Sequence, residues 1–143
     1  MQIFSDQQGL TNTPTVFDLS RLLGQSGSVP SINFSIGSNG MPDASALRTF
    51  VPSTPDVDFS WRFFGVLRIS TPGSYTICSS PDDGSMVYIN TGSGSDPALA
   101  NYTQIVKNDS IHSIATVCSD PRPLESRSYD IMVRVPPPLT ITS

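Results

Sequence analysis

The sequence has little charge and no long apolar run. Only 14% of its 143 residues are charged, the net charge is −4, and the lysines and arginines are scattered along the chain. Binding along nucleic-acid phosphates requires clustered cations, so we do not expect nucleic acid as a partner. No apolar stretch reaches transmembrane length, and residues 1–6 lack the basic and apolar regions of a signal peptide. We expect a mature form or an excised module without membrane insertion.

Cysteine is scarce as well. Cys78 and Cys118 are too few for a zinc site and lack the close spacing of redox motifs, which leaves one disulfide or two free thiols. Three N-glycosylation sequons, by contrast, begin at Asn33, Asn101 and Asn108. Three acceptor sites in so short a chain are typical of a secreted protein, so we expect an extracellular location: secreted, at a cell surface or in a matrix.

Proline and glycine are abundant, with 13 and 10 residues, beside many serines and threonines and a moderate apolar content of 37%. This composition favours short strands joined by turns, and the length suits a single domain with one ordinary core. The tail changes character at residues 136–138, which are three prolines that cannot donate hydrogen bonds to a sheet. We therefore predict a domain over residues 1–135 and a stiff linker or tail over 136–143, through which the chain could self-associate or meet neighbouring modules.

Alternation of apolar and polar residues predicts most of the strands. From residue 58 one face carries aromatic and aliphatic side chains and the other carries polar ones, which indicates a long half-buried strand. The apolar set is Phe59, Trp61, Phe63, Leu67 and Ile69, and the polar set is Ser60, Arg62 and Arg68. Further strands are predicted around residues 75–77, 86–89, 114–118 and 128–135. The spacing predicts an all-β protein, an antiparallel β-sandwich.

Helix is expected only as one or two short turns in the N-terminal half. The stretches "TPTVFDLSRLLGQSG" and "PDASALRTF" are the two places where apolar residues have helical spacing, and Asp43 is a possible N-cap of the second.

The stretch "FSWRFFGVLRISTPGSYTICSSPDDGSMVYIN", followed by "QIVKNDSIHSIATV", resembles the protective-antigen lectin-like domain family, which fungal flocculins and adhesins share. The landmarks are Phe63-Phe64-Gly65, Gly73-Ser-Tyr75-Thr, Asp82-Asp83-Gly84-Ser85, and Asn108-Asp109 with His112. Their order covers residues 59–117, with a looser match from about residue 10 to 135. The resemblance implies a β-sandwich, extracellular and non-catalytic, that serves as a carbohydrate-binding module.

Two adjacent carboxylates, Asp82 and Asp83, lie between a proline and a glycine. A calcium ion would neutralise their repulsion, because calcium takes six to eight oxygen ligands. In the sugar-binding members of the family such a pair, joined by a cis peptide bond, holds calcium with an asparagine from a second loop, and sugar hydroxyls complete the shell. The resemblance thus implies a calcium site at Asp82, Asp83, Asn108 and Asp109, with glycans or glycoproteins as partners. The alternative is an ordinary Pro-Asp-Gly turn.

Other candidate residues are weaker. His112 is the only histidine, and no serine or cysteine has a recognisable nucleophile spacing, so we do not expect an enzyme. Trp61 alternates with Phe59 and Phe63 and is expected in the core rather than on a sugar-stacking surface. Tyr102, beside a loop and a sequon, is the better candidate for an exposed aromatic that contacts sugar.

Two functional hypotheses follow. The first is a calcium-dependent carbohydrate-binding module; the second is a glycosylated structural module of a matrix, cell wall or filament with no sugar site. Asn108 separates them, because it is both a proposed calcium ligand and a sequon acceptor. We expect Asn33 or Asn101 to carry glycan in preference to Asn108. We also predict a Cys78–Cys118 disulfide, because each cysteine lies in a predicted strand that flanks one of the candidate ligand loops.

Overall fold

The computed structural model describes residues 1–5, 22–25, 44–56, 59–80, 84–92, 101–108 and 114–135. Within these ranges the protein is all-β and antiparallel with one short helix, as predicted. The elements in chain order are β1 Gln2–Ser5, β2 Leu22–Gln25, α1 Ala44–Arg48, β3 Phe59–Arg68, β4 Gly73–Tyr75, β5 Cys78–Ser79, β6 Ser85–Asn90, β7 Tyr102–Asn108, β8 Val117–Cys118, β9 Arg122–Leu124 and β10 Ser128–Val135.

Six strands form one sheet in the order β2-β1-β3-β10-β6-β7, and two short ladders pair β4 with β9 and β5 with β8. The longest pairing joins β3 to β10, from Arg68 opposite Ser128 to Trp61 opposite Val135. Because the chain visits β4, β5, β8 and β9 between these sheet strands, both ladders are insertions into the connections of the large sheet.

One face of the large sheet carries the core. At one end Phe59, Trp61 and Phe63 pack with Leu47 of α1 and with Val51. The Trp61 ring lies edge-on to Phe59, with centroids 6.1 Å apart, and tilted against Phe63 at 5.5 Å. Trp61 is therefore buried, as its alternation with the phenylalanines predicts.

The other end of this face is covered by the two ladders, which form the second layer of the sandwich. We call the apolar cluster at this end the second core. The ladders and their flanks contribute Tyr75, Ile77, Val117 and Leu124, which pack with Val87, Ile89, Ile105, Val106 and Tyr129 of the large sheet. Val133 of β10 contacts both ends of the core, so the apolar face is continuous along the sheet.

A tyrosine fixes the corner where the chain enters β10. The Tyr129 hydroxyl accepts a 2.8 Å hydrogen bond from the amide of Glu125, and Arg127 lies over the Tyr129 ring, 4.5 Å from its centroid. Arg127 also donates to the carbonyl of Thr91 at 2.7 Å, which ties this corner to the end of β6. The turn between β9 and β10 is thereby attached to the large sheet.

The prediction of a half-buried β3 is wrong for its first half. Ser60 and Arg62, expected on a polar face, are 5% and 7% exposed, and Arg134 opposite Arg62 is 1% exposed. Met86 and Met132 are buried on this second face as well, so the face is packed, and aliphatic arginine stems can contribute to such packing. Burial, and then the charge of Arg134, lower the pKa of Arg62. Further along β3 the second face does open, at Phe64 and Val66.

Two local predictions also change. Leu22–Gln25, within the first expected helical turn, is strand β2 paired with β1. Within β2, Gly24 lies close to Val51: a Cβ there would be 2.6 Å from a Val51 methyl, so glycine allows this close approach. The predicted strand over 114–118 narrows to Val117–Cys118, and Ile114 is exposed.

The second expected helical turn is confirmed as α1. Its proposed cap, Asp43, and the Pro-rich tail at 136–143 lie outside the described residues.

Candidate functional site

The structure describes part of the predicted site. Asp82, Asp83 and Asp109 lie outside the described residues, as do His112 and Asn33. The described residues include Asn108, Ser80 and Gly84 on either side of positions 81–83, both cysteines, Tyr102 and Asn101. The site can therefore be built from the framework that holds the ends of the two loops.

The first part of this framework is the β5–β8 ladder. Cys78 and Cys118 are directly opposite each other in the ladder and form a disulfide, with Cα atoms 4.0 Å apart. Both residues are exposed. Of the two states that the sequence leaves open for the cysteines, the disulfide is the one found.

Hydroxyl groups connect the strand ends beyond the disulfide. The Ser80 and Thr116 hydroxyls are 2.8 Å apart, and this hydrogen bond joins the chain just before the Asp pair to the chain just before β8. The Ser79 and Ser85 hydroxyls are 2.6 Å apart and join the two sides of the Asp loop. The residues that precede and follow positions 81–83 are thus held together.

Asn108 ends β7 directly opposite Ser85, the first residue of β6. Its side chain is 4% exposed, and its amide nitrogen donates a 2.9 Å hydrogen bond to the carbonyl of Ala115. This bond bridges positions 109–114, and because a carbonyl can only accept, the end of the amide that faces Ala115 is the nitrogen.

These contacts place the ends of both predicted ligand loops together. Ser85 after the Asp pair is opposite Asn108 before Asp109, and Ser80 before the pair bonds Thr116 after the second loop. The four described positions that flank the two loops therefore meet at one end of β6 and β7. The side chains at this end are hydroxyls and an amide, so the described framework itself brings no charge.

Tyr102 is not part of this arrangement. It is the first residue of β7, while Asn108 is the last, and six residue steps along a strand span about 20 Å. Tyr102 is half-buried and lies opposite Asn90, next to the exposed Asn101. The structure thus separates the predicted sugar-contacting aromatic from the predicted calcium ligand.

The hydroxyl framework was missed by sequence reasoning. Ser79, Ser80, Ser85 and Thr116 are ordinary members of a serine- and threonine-rich chain, and only the pairing of Cys78 with Cys118 gives them partners. A disulfide assumed between opposed strand residues would have set the register and brought Ser80 near Thr116. Among the described residues no three His, Cys, Asp or Glu side chains group as a metal site.

No known protein family matches the chain, and neither a curated protein sequence nor a solved structure is significantly similar to it. The resemblance to protective-antigen lectin-like domains stays a prediction that rests on the sequence landmarks at residues 59–117. In the parts of the chain that the structure describes, no helix is long and apolar enough to cross a membrane.

Proposed function

We propose that the protein is a non-catalytic, extracellular module of the protective-antigen lectin-like type that binds carbohydrate through calcium. The observation that supports this most is the meeting of the two loop ends: Ser85 opposite Asn108, and Ser80 bonded to Thr116. Residues far apart in the sequence thereby supply ligand loops to one place, which a calcium site with a sugar-facing side requires.

The chemistry of the loop residues fits a hard cation. Asp82, Asp83 and Asp109 supply carboxylate oxygens, and Asn108 supplies a neutral amide oxygen, all of which calcium prefers over nitrogen or sulfur. The Asn108 amide nitrogen donates to the carbonyl of Ala115, which holds this side chain in place at the end of β7. Calcium bound there would offer its remaining coordination positions to adjacent sugar hydroxyls.

The first test is thermal unfolding with calcium and with a chelator. A ligand that binds only the folded state at 100 times its dissociation constant adds about 2.7 kcal/mol to stability, so calcium should raise the melting temperature. Asp82→Ala and Asp83→Ala should each abolish that rise while the calcium-free melt stays near that of the wild type. Asp120→Ala removes an exposed carboxylate outside the site and is the matched control that should keep the rise.

The second test is a glycan array, run with calcium on the wild type and on Asp83→Ala. Calcium-dependent glycan binding that the variant loses would support the proposal. A calcium-independent melting temperature together with an empty array would overturn it.

The second candidate, a glycosylated structural module, is favoured by one observation: Asn101 is exposed in an intact sequon. The two candidates differ at Asn108, where burial and the bond to Ala115 oppose an attached glycan. Glycopeptide mass spectrometry on natively sourced protein should find Asn108 bare and Asn101 occupied. Full occupancy of Asn108 would contradict the carbohydrate-binding proposal, because a glycan on that amide would block the calcium site.

A further inference from the structure

The Cys78–Cys118 disulfide has an unusual position in the framework. It joins two strands of only two residues each, directly across the ladder, and both cysteines are exposed. Exposed disulfides are the ones that thiol reagents reach, whereas buried structural disulfides resist reduction. A soluble thiol can therefore meet this bond in the folded protein.

Hydrogen bonds on the two sides of the disulfide differ in their exposure. On the core side, the amide of Ser119 donates to the carbonyl of Ile77 at 2.8 Å, and the Ile77 amide donates to the Ser119 hydroxyl at 3.1 Å. Ser119 is buried, and Ile77 packs on the second core.

On the loop side, the strands continue into the Ser80–Thr116 hydroxyl bond, which is exposed. An exposed hydroxyl bond competes with water and adds little to stability. The disulfide is thus the covalent link between β5 and β8, and it lies one ladder pair away from the Ser80–Thr116 bond at the loop ends.

We propose that the Cys78–Cys118 disulfide is a redox-sensitive clamp on the loop ends. A dithiol reductant opens it in two steps. One thiolate attacks a cysteine sulfur, forming a mixed disulfide and releasing the other cysteine as a thiolate, which takes up a proton. The second thiol of the reagent then attacks the mixed disulfide and releases the remaining cysteine. The dithiol is oxidised by two electrons to a disulfide, and the protein gains two thiols.

Opening the clamp leaves the core intact, because the bonds between Ile77 and Ser119 do not depend on it. The segments on the loop side lose their covalent constraint and are then held by hydrogen bonds, such as that between Ser80 and Thr116. A ligand that needs both loops must then order them on binding, which weakens its affinity. This effect on calcium rests on the proposed function, whereas the effect on the ladder does not.

The test of the ladder uses hydrogen exchange on the full chain, oxidised and reduced by dithiothreitol. Peptides that cover residues 78–80 and 114–118 should lose protection on reduction, and a peptide over β10, residues 128–135, should not. Unchanged protection at 78–80 and 114–118, or no reduction of the folded protein at all, would overturn the clamp.

The test of regulation is a calcium titration of the two states. We expect calcium to bind the oxidised protein at least about fivefold more tightly, within the usual range of coupling between two sites. By reciprocity calcium should make the disulfide harder to reduce, and a tenfold coupling would shift its potential by about 30 mV to more negative values. Equal affinity in both states overturns the regulation, whereas no calcium binding in either state overturns the proposed function instead.

Two variants complete the experiment. Cys78→Ser with Cys118→Ser should behave as the reduced wild type whether or not dithiol is added. Ser126→Ala removes an exposed hydroxyl bond to Ser70, away from the loops, and should keep the redox response. If the serine variant does not fold, wild type reduced in its folded state and alkylated replaces it, with the same expected loss of protection.

Discussion

The two short ladders of the second layer cover the same sheet face but are held in different ways. In β4–β9, Leu124 is 5% exposed within the second core, and the next residue, Glu125, is bonded to the buried Tyr129. In β5–β8 no strand residue is buried; Val117 is half-buried and the two cysteines are exposed. One ladder is thus stabilised by apolar burial and the other by a covalent bond.

The difference follows from what each ladder adjoins. β9 leads directly into the corner before β10 and can place a leucine in the core. β5 and β8 adjoin Ser80 and Thr116, whose hydroxyls bond each other, so the ends of this ladder carry hydroxyls rather than apolar side chains. A ladder whose ends carry polar side chains has little apolar area to bury, so in β5–β8 a cross-link takes the place of burial.

The largest expected effect is removal of the covalent bond. The disulfide closes a loop with a sequence separation of 40, and chain entropy predicts that Cys78→Ser with Cys118→Ser lowers the free energy of unfolding by about 4 kcal/mol. Urea unfolding measures this, with reduced and alkylated wild type as the control. An unchanged urea midpoint would mean that the β5–β8 ladder is held by its hydrogen bonds alone.

The next largest effect is expected at Leu124, the buried apolar residue of the β4–β9 ladder. Leu124→Ala should cost about 3 kcal/mol, because it leaves a cavity in the second core. Val117→Ala, the corresponding change in β8, should cost about 1 kcal/mol, because Val117 is half-buried. The two are compared by denaturant unfolding. If Val117→Ala lowers the free energy of unfolding as much as Leu124→Ala does, the two ladders are not stabilised differently.

A smaller effect is expected at the tyrosine corner. Tyr129→Phe leaves the Glu125 amide without its hydrogen bond in a partly buried place, so we expect a loss of about 1 to 2 kcal/mol. Tyr75→Phe is the matched control, because its hydroxyl bond to the Thr71 carbonyl is exposed and its removal should change stability by less than about 0.5 kcal/mol. Thermal unfolding of both variants decides whether the hydroxyl of Tyr129 or only its ring matters.

The smallest effects concern two neighbouring serines. Ser79→Ala removes the partner of the buried Ser85 hydroxyl and should cost about 1 kcal/mol. Ser80→Ala removes only the exposed bond to Thr116 and should stay within about 0.5 kcal/mol. If Ser80→Ala is the more destabilising of the two in urea, the Ser80–Thr116 bond contributes more to stability than Ser79–Ser85. That result would contradict the redox clamp, in which the Ser80–Thr116 bond adds little.

The sequence predicts the fold best where one sheet face is apolar throughout. β3 and β10 alternate cleanly, and their core faces are as expected, with Trp61 and Tyr129 buried. The polar face was misjudged at Ser60 and Arg62, because a period of two shows that two faces differ but not that one of them is exposed. Whether a polar face meets solvent depends on contacts distant in the sequence.

Strand β7 was not predicted, and the reason is visible in its register. Val87 is opposite Val106 but Tyr88 is opposite Gln104, so Ile105 is an extra residue in the ladder, and Ile105 and Val106 are both buried. Two adjacent buried residues break the alternation by which a strand is recognised. β1 and β2 are four residues each, too short for a pattern to be distinguished from chance.

For the candidate site, the sequence indicates which residues could bind calcium, but not the strand pairs and hydrogen bonds that hold the ends of their loops together. The burial of Asn108 and its bond to the carbonyl of Ala115 are features of the fold that the sequence does not show. Tyr102 was proposed as the sugar-contacting aromatic because it lies beside a loop and a sequon, but β7 puts it at the opposite end of the strand from Asn108. The pairing of Ser80 with Thr116 depends on the register set by the cysteines and could not be deduced from either segment alone.

The extra residue in β7 affects whether molecules of this protein pair strand to strand in concentrated solution. β7 is the last strand of the six-stranded sheet as described, and an outermost strand can recruit a strand from another chain and begin aggregation. The bulge at Ile105 bends this strand, and the exposed Lys107 adds a charge along it. A straight, neutral strand would be a template for intermolecular pairing, so the irregularity that hides β7 from sequence analysis also protects the sheet from growing beyond its own chain.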